Sequence, residues 1–341
     1  MRRIILRTVL ILFLLAPSSP LGAQEYIIKF ATVAPEGSTW MNVMKEYDQA
    51  VRAESHGRIG FKIYPGGVQG DEKDVLQKIR LGQLQCAGVT GNGLTTIAPA
   101  ARILDAPFLF RNYDEVDRVY ATFDAEFERA FEENGYVNLG WAEVGFVYVF
   151  TNTRVEGPAD MKNVRMWIWE GDPIAEAAIA ALNVHDVVPL AITDVFTSLQ
   201  THLIDGVYAS PLAMIALQWF SRTKYMLDVP LADAAGAVVI SKKKFDQLPA
   251  DLQEILRRNG KIYLGKLTRL SREENRKSLD ALKKNGVIIV EPKNSKDLAE
   301  YEQLGKQARQ TLAGKLFTAD LLNRVEQEIA RLRPGSGAGR K

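Results

Sequence analysis

An alternation of strand and helix signals that runs, breaks off and starts again constrains this chain more than any other feature. A β-rich run over 27–33 ends at Ala34-Pro35, and Ser38 is placed to cap a helix reaching Ser55. Residues 59–64 alternate in the strand manner before Pro65-Gly66-Gly67, a helix over 71–81 closes on Gly82, and another strand follows over 85–90. Strand, helix and strand in this order predict parallel strands covered by helices, an α/β fold. A long amphipathic helix over 113–134 leads to strands at 137–141 and 145–151. Near Val164 a second series begins, with strands at 164–169, 184–188 and 204–209 interleaved with helices at 173–182, 192–201 and 212–221. Residues 235–241 read as a strand returning to the first series. One long helix then runs from Pro249 to about Lys284, followed by a strand at 287–290 and further helices.

A chain that leaves one α/β unit, builds a second and comes back makes two lobes joined by several crossings. The expected division is lobe I from 24–145 with 235–270, and lobe II from 146–234 with 271–330. A cleft between two such lobes is the default place for a small ligand, with closure at a hinge as the expected motion. The 341 residues, 47% of them hydrophobic, suffice for two separate cores. A net charge of +2 leaves no electrostatic footprint for nucleic acid or anionic lipid.

The first residues predict export. Arg2 and Arg3 precede an apolar run over 4–16, and Pro17 to Pro20 lead into the small residues Gly22 and Ala23. This is the pattern of a secretory signal peptide over 1–23, cleaved after Ala23, with an apolar run shorter than the roughly 20 residues that span a bilayer. The sole cysteine, Cys86, can form no internal disulfide and does not stand at the cleavage point to carry a lipid. These features point to a free protein of the Gram-negative periplasm. The basic, glycine-rich stretch 331–341 is expected to be a disordered tail.

The chemistry of catalysis has no sequence support. Gly88, Gly91 and Gly93 lack the spacing of a phosphate loop, and His56, His185 and His202 show no metal-ligand pattern. Ser210 lacks the frame of a nucleophile elbow, Cys86 reads as a buried small hydrophobe, and Asp71, Glu72 and Asp74 suit a helix start. No enzyme activity, cofactor or metal is expected.

The order of several short motifs is informative. Phe30-Ala31-Thr32-Val33-Ala34-Pro35 with Ser38 is followed by Tyr64-Pro65-Gly66-Gly67, Gly70-Asp71-Glu72 and Ile79-Arg80-Leu81-Gly82-Gln83-Leu84. Then come Asp105-Ala106-Pro107-Phe108-Leu109-Phe110, Pro158-Ala159-Asp160-Met161-Lys162, Leu199-Gln200-Thr201 with Ile204-Asp205-Gly206, and Leu248-Pro249-Ala250-Asp251-Leu252-Gln253. In this order the chain resembles the DctP-type solute-binding proteins of tripartite ATP-independent periplasmic (TRAP) transporters, over about 27–317. The resemblance implies a two-lobe α/β periplasmic binding protein with a long helix contacting both lobes, and a small-molecule ligand. It also implies delivery to two membrane permease subunits. A monomer is expected. A periplasmic sensor on the same fold is the second reading, and a secreted enzyme the third.

The chain departs from the family where the family grips organic acids. Trp167 stands where the strand arginine would be, with Arg165 two residues before it, and Tyr148 replaces a second arginine ahead of Phe150-Thr151-Asn152. The polar element after Asp205-Gly206 reads Val207-Tyr208-Ala209-Ser210-Pro211. Arginine is the strongest neutral-pH partner of a carboxylate, whereas Trp and Tyr offer apolar area with one polar handle. A more apolar or aromatic ligand is therefore expected, held by Trp167, Tyr148, Tyr208 and Ser210. Trp169, Glu170, Trp40, Thr90 and Asn92 are further candidates, with Glu170 suited to a polar or cationic group. A shifted alignment would restore Arg165 as the anchor of an ordinary organic acid. Burial as packing is the competing reading for all these aromatics, and the preferred one for Trp219 and Phe220.

Overall fold

The computed structural model describes residues 26–333. The expected signal peptide, 1–23, and the tail from Pro334 onward lie outside the described residues. The tail starts later than the expected 331. Residues 331 and 332 finish the last helix, Ala319–Leu332, and Arg333 donates to Glu115 at 2.8 Å.

Among the described residues, twelve strands form two sheets. In chain order they are β1 Tyr26–Ala31, β2 Ile59–Tyr64, β3 Cys86–Val89, β4 Tyr136–Trp141, β5 Gly145–Thr151 and β6 Met166–Trp169. They continue as β7 Val187–Leu190, β8 Gly206–Ala209, β9 Tyr225–Leu227, β10 Ala232–Ala234, β11 Ala237–Ser241 and β12 Ile288–Val290. The first sheet has the order β2-β1-β3-β11-β4, and β11 enters antiparallel between β3 and β4. The strand at 235–241 thus returns to lobe I. The second sheet runs β12-β9-β5-β8-β6-β7, with β10 added antiparallel to β5.

Each sheet is mixed and packs apolar residues on both faces, as sheets covered by helices on either side require. In lobe I, Ile28, Phe30, Val238 and Ile240 pack with Met44, Tyr47 and Leu256 from helices Thr39–Glu54 and Ala250–Lys284. The opposite face packs under Tyr113–Glu133, where Phe127 and Phe131 meet Val239. The C-terminal helix joins this same core through Leu321, Leu322 and Val325. The expected lobe II segment 271–330 therefore divides: helix Ser295–Leu312 packs on Pro173–Ala181 in lobe II, while Ala319–Leu332 packs on Tyr113–Glu133 in lobe I. An amphipathic helix goes wherever an apolar face is left open, and sequence position does not say which lobe offers one.

Four segments join the lobes, one of them the link 313–318 between the last two helices. The chain crosses between β4 and β5 and recrosses between β10 and β11, and the two crossings are tied by Ala142 N–H to Gly236 O (2.7 Å) and Val144 N–H to Ala234 O (2.9 Å). The third is the 35-residue helix Ala250–Lys284, about 52 Å long at 1.5 Å per residue. It packs on helix Thr39–Glu54 and β4 in lobe I, then on helix Pro211–Ala216 and β5 in lobe II. Gly260 permits the close approach, since a Cβ there would lie 2.2 Å from the Leu139 carbonyl oxygen.

Candidate ligand-binding cleft

The lobes enclose a cavity of about 510 Å³, within the roughly 300–1,000 Å³ of small-molecule sites. Lobe I contributes the β1–helix loop. Ser38 caps helix Thr39–Glu54 by accepting from Met41 N–H, which fixes Trp40 in the first turn. The Trp40 indole lies over Gly88, where a Cβ would come within 2.7 Å of it.

Lobe II contributes an aromatic wall. Trp167 on β6 stacks on Tyr208 of β8 with centroids 4.8 Å apart, meets Trp219 edge-on at 5.4 Å, and lies 6.2 Å from Trp169. Trp167, Trp169 and Tyr208 each engage a polar atom within the protein. Trp167 Nε1 donates to Leu190 O at 3.1 Å, Trp169 Nε1 to Asp71 Oδ2 at 2.8 Å, and the Tyr208 hydroxyl accepts from Trp169 N–H at 3.1 Å. What these rings leave for a ligand is apolar face. Ile174, Ile179, Leu212 and Ile215 extend it.

Charged groups stand behind this surface. Arg102 is the one Lys or Arg on the wall among the described residues. It is 2% exposed and held by Asp105 of lobe I and, at 2.5 Å, by Asp172 of lobe II. Asp105 also accepts from Ala235 N–H, and Asp172 caps helix Pro173–Ala181 through Ile174 N–H at 3.0 Å. Glu72 is buried on the wall and accepts from Thr90 N–H, Thr90 Oγ1 and Gly93 N–H. Burial pushes its carboxyl up to about 7, against the lowering effect of those donors. Asp233 on β10 is fully buried on the wall, and neither of its oxygens has a partner.

Further hydrogen bonds cross from lobe to lobe. Asp71 Oδ2 accepts from Ile192 N–H as well as from Trp169, and Lys73 Nζ and Asn92 Nδ2 donate to Glu170 O at 2.7 and 3.4 Å.

Residues 30–313 match the model of the bacterial extracellular solute-binding proteins of family 7, DctP. The chain belongs to this family. It is a solute-binding protein of the TRAP type. It is 25% identical over 318 residues to the 2,3-diketo-L-gulonate-binding periplasmic protein of Escherichia coli, covering 91% of this chain and 94% of that one. It is 24% identical over 296 residues to the C4-dicarboxylate-binding periplasmic protein DctP of Rhodobacter capsulatus, covering 85% and 87%. Among solved structures, a TRAP solute-binding protein of Haemophilus influenzae with bound L-gulonate superposes with a TM-score of 0.82 at 20% identity, covering 90% of this chain and all of that one. One of Desulfovibrio salexigens with bound orotic acid gives 0.82 at 18%, with the same coverage. These confirm the two-lobe fold.

Within this TRAP protein, Trp40, Thr90, Trp167, Trp169, Tyr208 and Ser210 lie on the cavity wall. Ser210 is engaged as the cap of helix Pro211–Ala216, accepting from Ala213 N–H at 3.2 Å. Four expected residues lie elsewhere. Tyr148 points away because successive strand residues face opposite sides, and its neighbour Val147 takes the wall position. Arg165 precedes the first residue of β6, and its guanidinium turns outward to Asp186 at 3.1 Å and the carbonyls of His202 and Leu203. The side chain of Glu170 is exposed, and its carbonyl makes the interlobe contacts. Asn92 is buried beside the cavity rather than on its wall. Sequence reasoning passed over Arg102, Asp105, Asp172, Asp233 and Ser271. The available signal was a lone charge inside an apolar run, as in Ala100-Ala101-Arg102-Ile103-Leu104 and Leu231-Ala232-Asp233-Ala234-Ala235.

Proposed function

We propose that this protein is the periplasmic component of a TRAP transporter that closes its two lobes over an apolar or aromatic molecule and delivers it to membrane permease subunits. The observation carrying the ligand reading is the aromatic wall built where relatives are expected to place arginine. Trp167, the residue that the resemblance aligns with that arginine, stacks on Tyr208, and the one arginine on the wall among the described residues is already paired with two carboxylates. A buried carboxylate without an available cation is costly, so small acids are disfavoured. Closure is supported by Asp71, Lys73 and Arg102, each of which reaches from lobe I to a group of lobe II. Delivery to the membrane rests on family membership. Export rests on the signal-peptide pattern of 1–23, and among the described residues no helix is long and apolar enough to cross a membrane.

Calorimetric titration with L-gulonate and succinate on one side, and tryptophol on the other, tests the ligand reading. Tryptophol is expected to bind with a negative heat-capacity change, the mark of apolar burial. Binding of either acid with a Kd below about 10 μM, about −7 kcal/mol, would overturn it.

A further inference from the structure

We infer that the natural ligand carries a cationic nitrogen, received at the hinge end of the cavity by Asp233 with Ser271. The inference deepens the reading of an apolar cavity and rests on it. Asp233 is fully buried on the cavity wall with both carboxylate oxygens unpartnered, and Ser271, equally buried on that wall, leaves Oγ unpartnered. Buried polar groups in native proteins are almost always bonded, so two such side chains on the wall of one ligand cavity mark a place where the ligand supplies the partner. Both sit where the lobes join. Asp233 lies in β10, just before the crossing into β11. Ser271 lies on the long helix one turn before Asn275, whose Nδ2 donates to Val144 O at 2.7 Å in the other crossing.

The charges around the cavity favour a cation over a neutral donor. Among the described residues, five carboxyl groups line it (Glu36, Glu72, Asp105, Asp172 and Asp233) against Arg102 alone. Arg102 leaves Nε without a partner, yet the two carboxylates on its Nη atoms already exceed its charge, so an anion placed there meets Asp105 and Asp172 as well. Arg272, the cation that acts electrostatically on Asp233, is held at 2.6 Å by both Glu143 and Asp117 and lies over the Tyr113 ring. Burial, with the nearby Glu143, raises the Asp233 carboxyl well above its ordinary range. An ammonium or amidinium at this position supplies the missing positive charge and lets Asp233 ionise as its partner. The aromatic faces of Trp40, Trp167 and Tyr208 add cation–π attraction for the same group or take the ligand's apolar body.

Matched triads of amine, alcohol and carboxylate on one scaffold test this, with tryptamine, tryptophol and indole-3-acetate as the first and phenethylamine, phenylethanol and phenylacetate as the second. Affinities are measured by calorimetry on the purified full chain at neutral pH. The amine of each triad is expected to bind at least tenfold tighter than its alcohol, and the carboxylate most weakly. Asp233→Asn, an isosteric change at a side chain without protein partners, is expected to reduce the amine's advantage over the alcohol to twofold or less. Ser271→Ala is expected to weaken the amine severalfold. Alcohols binding as tightly as amines, or an amine preference that survives Asp233→Asn, would overturn the cationic inference and leave the apolar reading standing. Tightest binding by the carboxylates, or binding by no member of either triad, would overturn both.

Discussion

Replacing Arg102 by methionine removes the ionic bridge between the lobes and isolates two buried carboxylates. Breaking a buried ion pair by deleting one partner costs about 3–5 kcal/mol, because the remaining charge keeps its desolvation penalty. Here each carboxylate retains one backbone donor, Ala235 N–H for Asp105 and Ile174 N–H for Asp172, which places the loss near the lower end, about 3 kcal/mol. Methionine fills part of the space over Gly91, where a Cβ would come within 2.3 Å of the Arg102 guanidinium, so cavity formation adds little. The same logic requires that removing the stranded charges restores stability. Asparagine at 105 still accepts from Ala235, and asparagine at 172 still caps its helix about as well as aspartate. The triple variant Arg102→Met, Asp105→Asn, Asp172→Asn is therefore expected to recover most of the loss. Urea unfolding followed by circular dichroism at pH 7.5 measures both. A single variant within about 0.5 kcal/mol of wild type, the usual range of surface substitutions, would refute the reasoning, as would a triple variant no more stable than the single one.

Glu72 makes stability depend on pH in a defined direction. Its carboxyl is raised from 4.5 to about 7 by burial, so the folded state holds its proton more tightly; the stabilisation is complete below about pH 4.5 and is lost as pH rises through about 7. The span corresponds to about 3 kcal/mol at 1.36 kcal/mol per pH unit, and urea unfolding at several pH values should show Glu72→Gln lacking this decline relative to wild type. Asp71→Ser keeps a capping oxygen for helix Glu72–Arg80 but is too short to reach Trp169 Nε1 and Ile192 N–H in lobe II. Small-angle scattering of the ligand-free variant should show a larger radius of gyration, with the unfolding midpoint little changed; an unchanged radius counts against closure through this contact. Gly260→Ala drives a methyl to within 2.2 Å of the Leu139 carbonyl, and overpacking of this kind costs about 1–3 kcal/mol in urea unfolding, with Gly265→Ala, which meets open space, as the neutral control.

The long elements were legible in the sequence because their signals are local. Ser38 caps the first helix as its position implied, the strand at 59–64 has the expected bounds, and Ala250–Lys284 runs nearly as its uninterrupted pattern required. β9 and β10 were not legible. Each is three residues long, and its existence depends on pairing with β5, and for β9 with β12 as well, rather than on any propensity of its own. Missing β10 meant missing Asp233. Trp167 was expected to face the ligand, and it lies on the cavity wall stacked on Tyr208. Facing was harder. A strand from 164 would set Arg165 on the same face as Trp167, but β6 starts at Met166, and the side chain before it turns outward to Asp186. The interlobe partners Asp71–Trp169 and Arg102–Asp172 lie 98 and 70 residues apart, and local pattern gives no register between them.

Native mass spectrometry of the protein, purified from the periplasm of a producing cell without refolding, tests the central claim most directly, with solvent extraction and accurate mass of whatever is released. One bound molecule per chain is expected, aromatic or largely apolar, bearing an amine or other cationic nitrogen and displaced by tryptamine. Recovery of a sugar acid or dicarboxylate in stoichiometric amount would contradict the reading of the Trp167–Tyr208 wall.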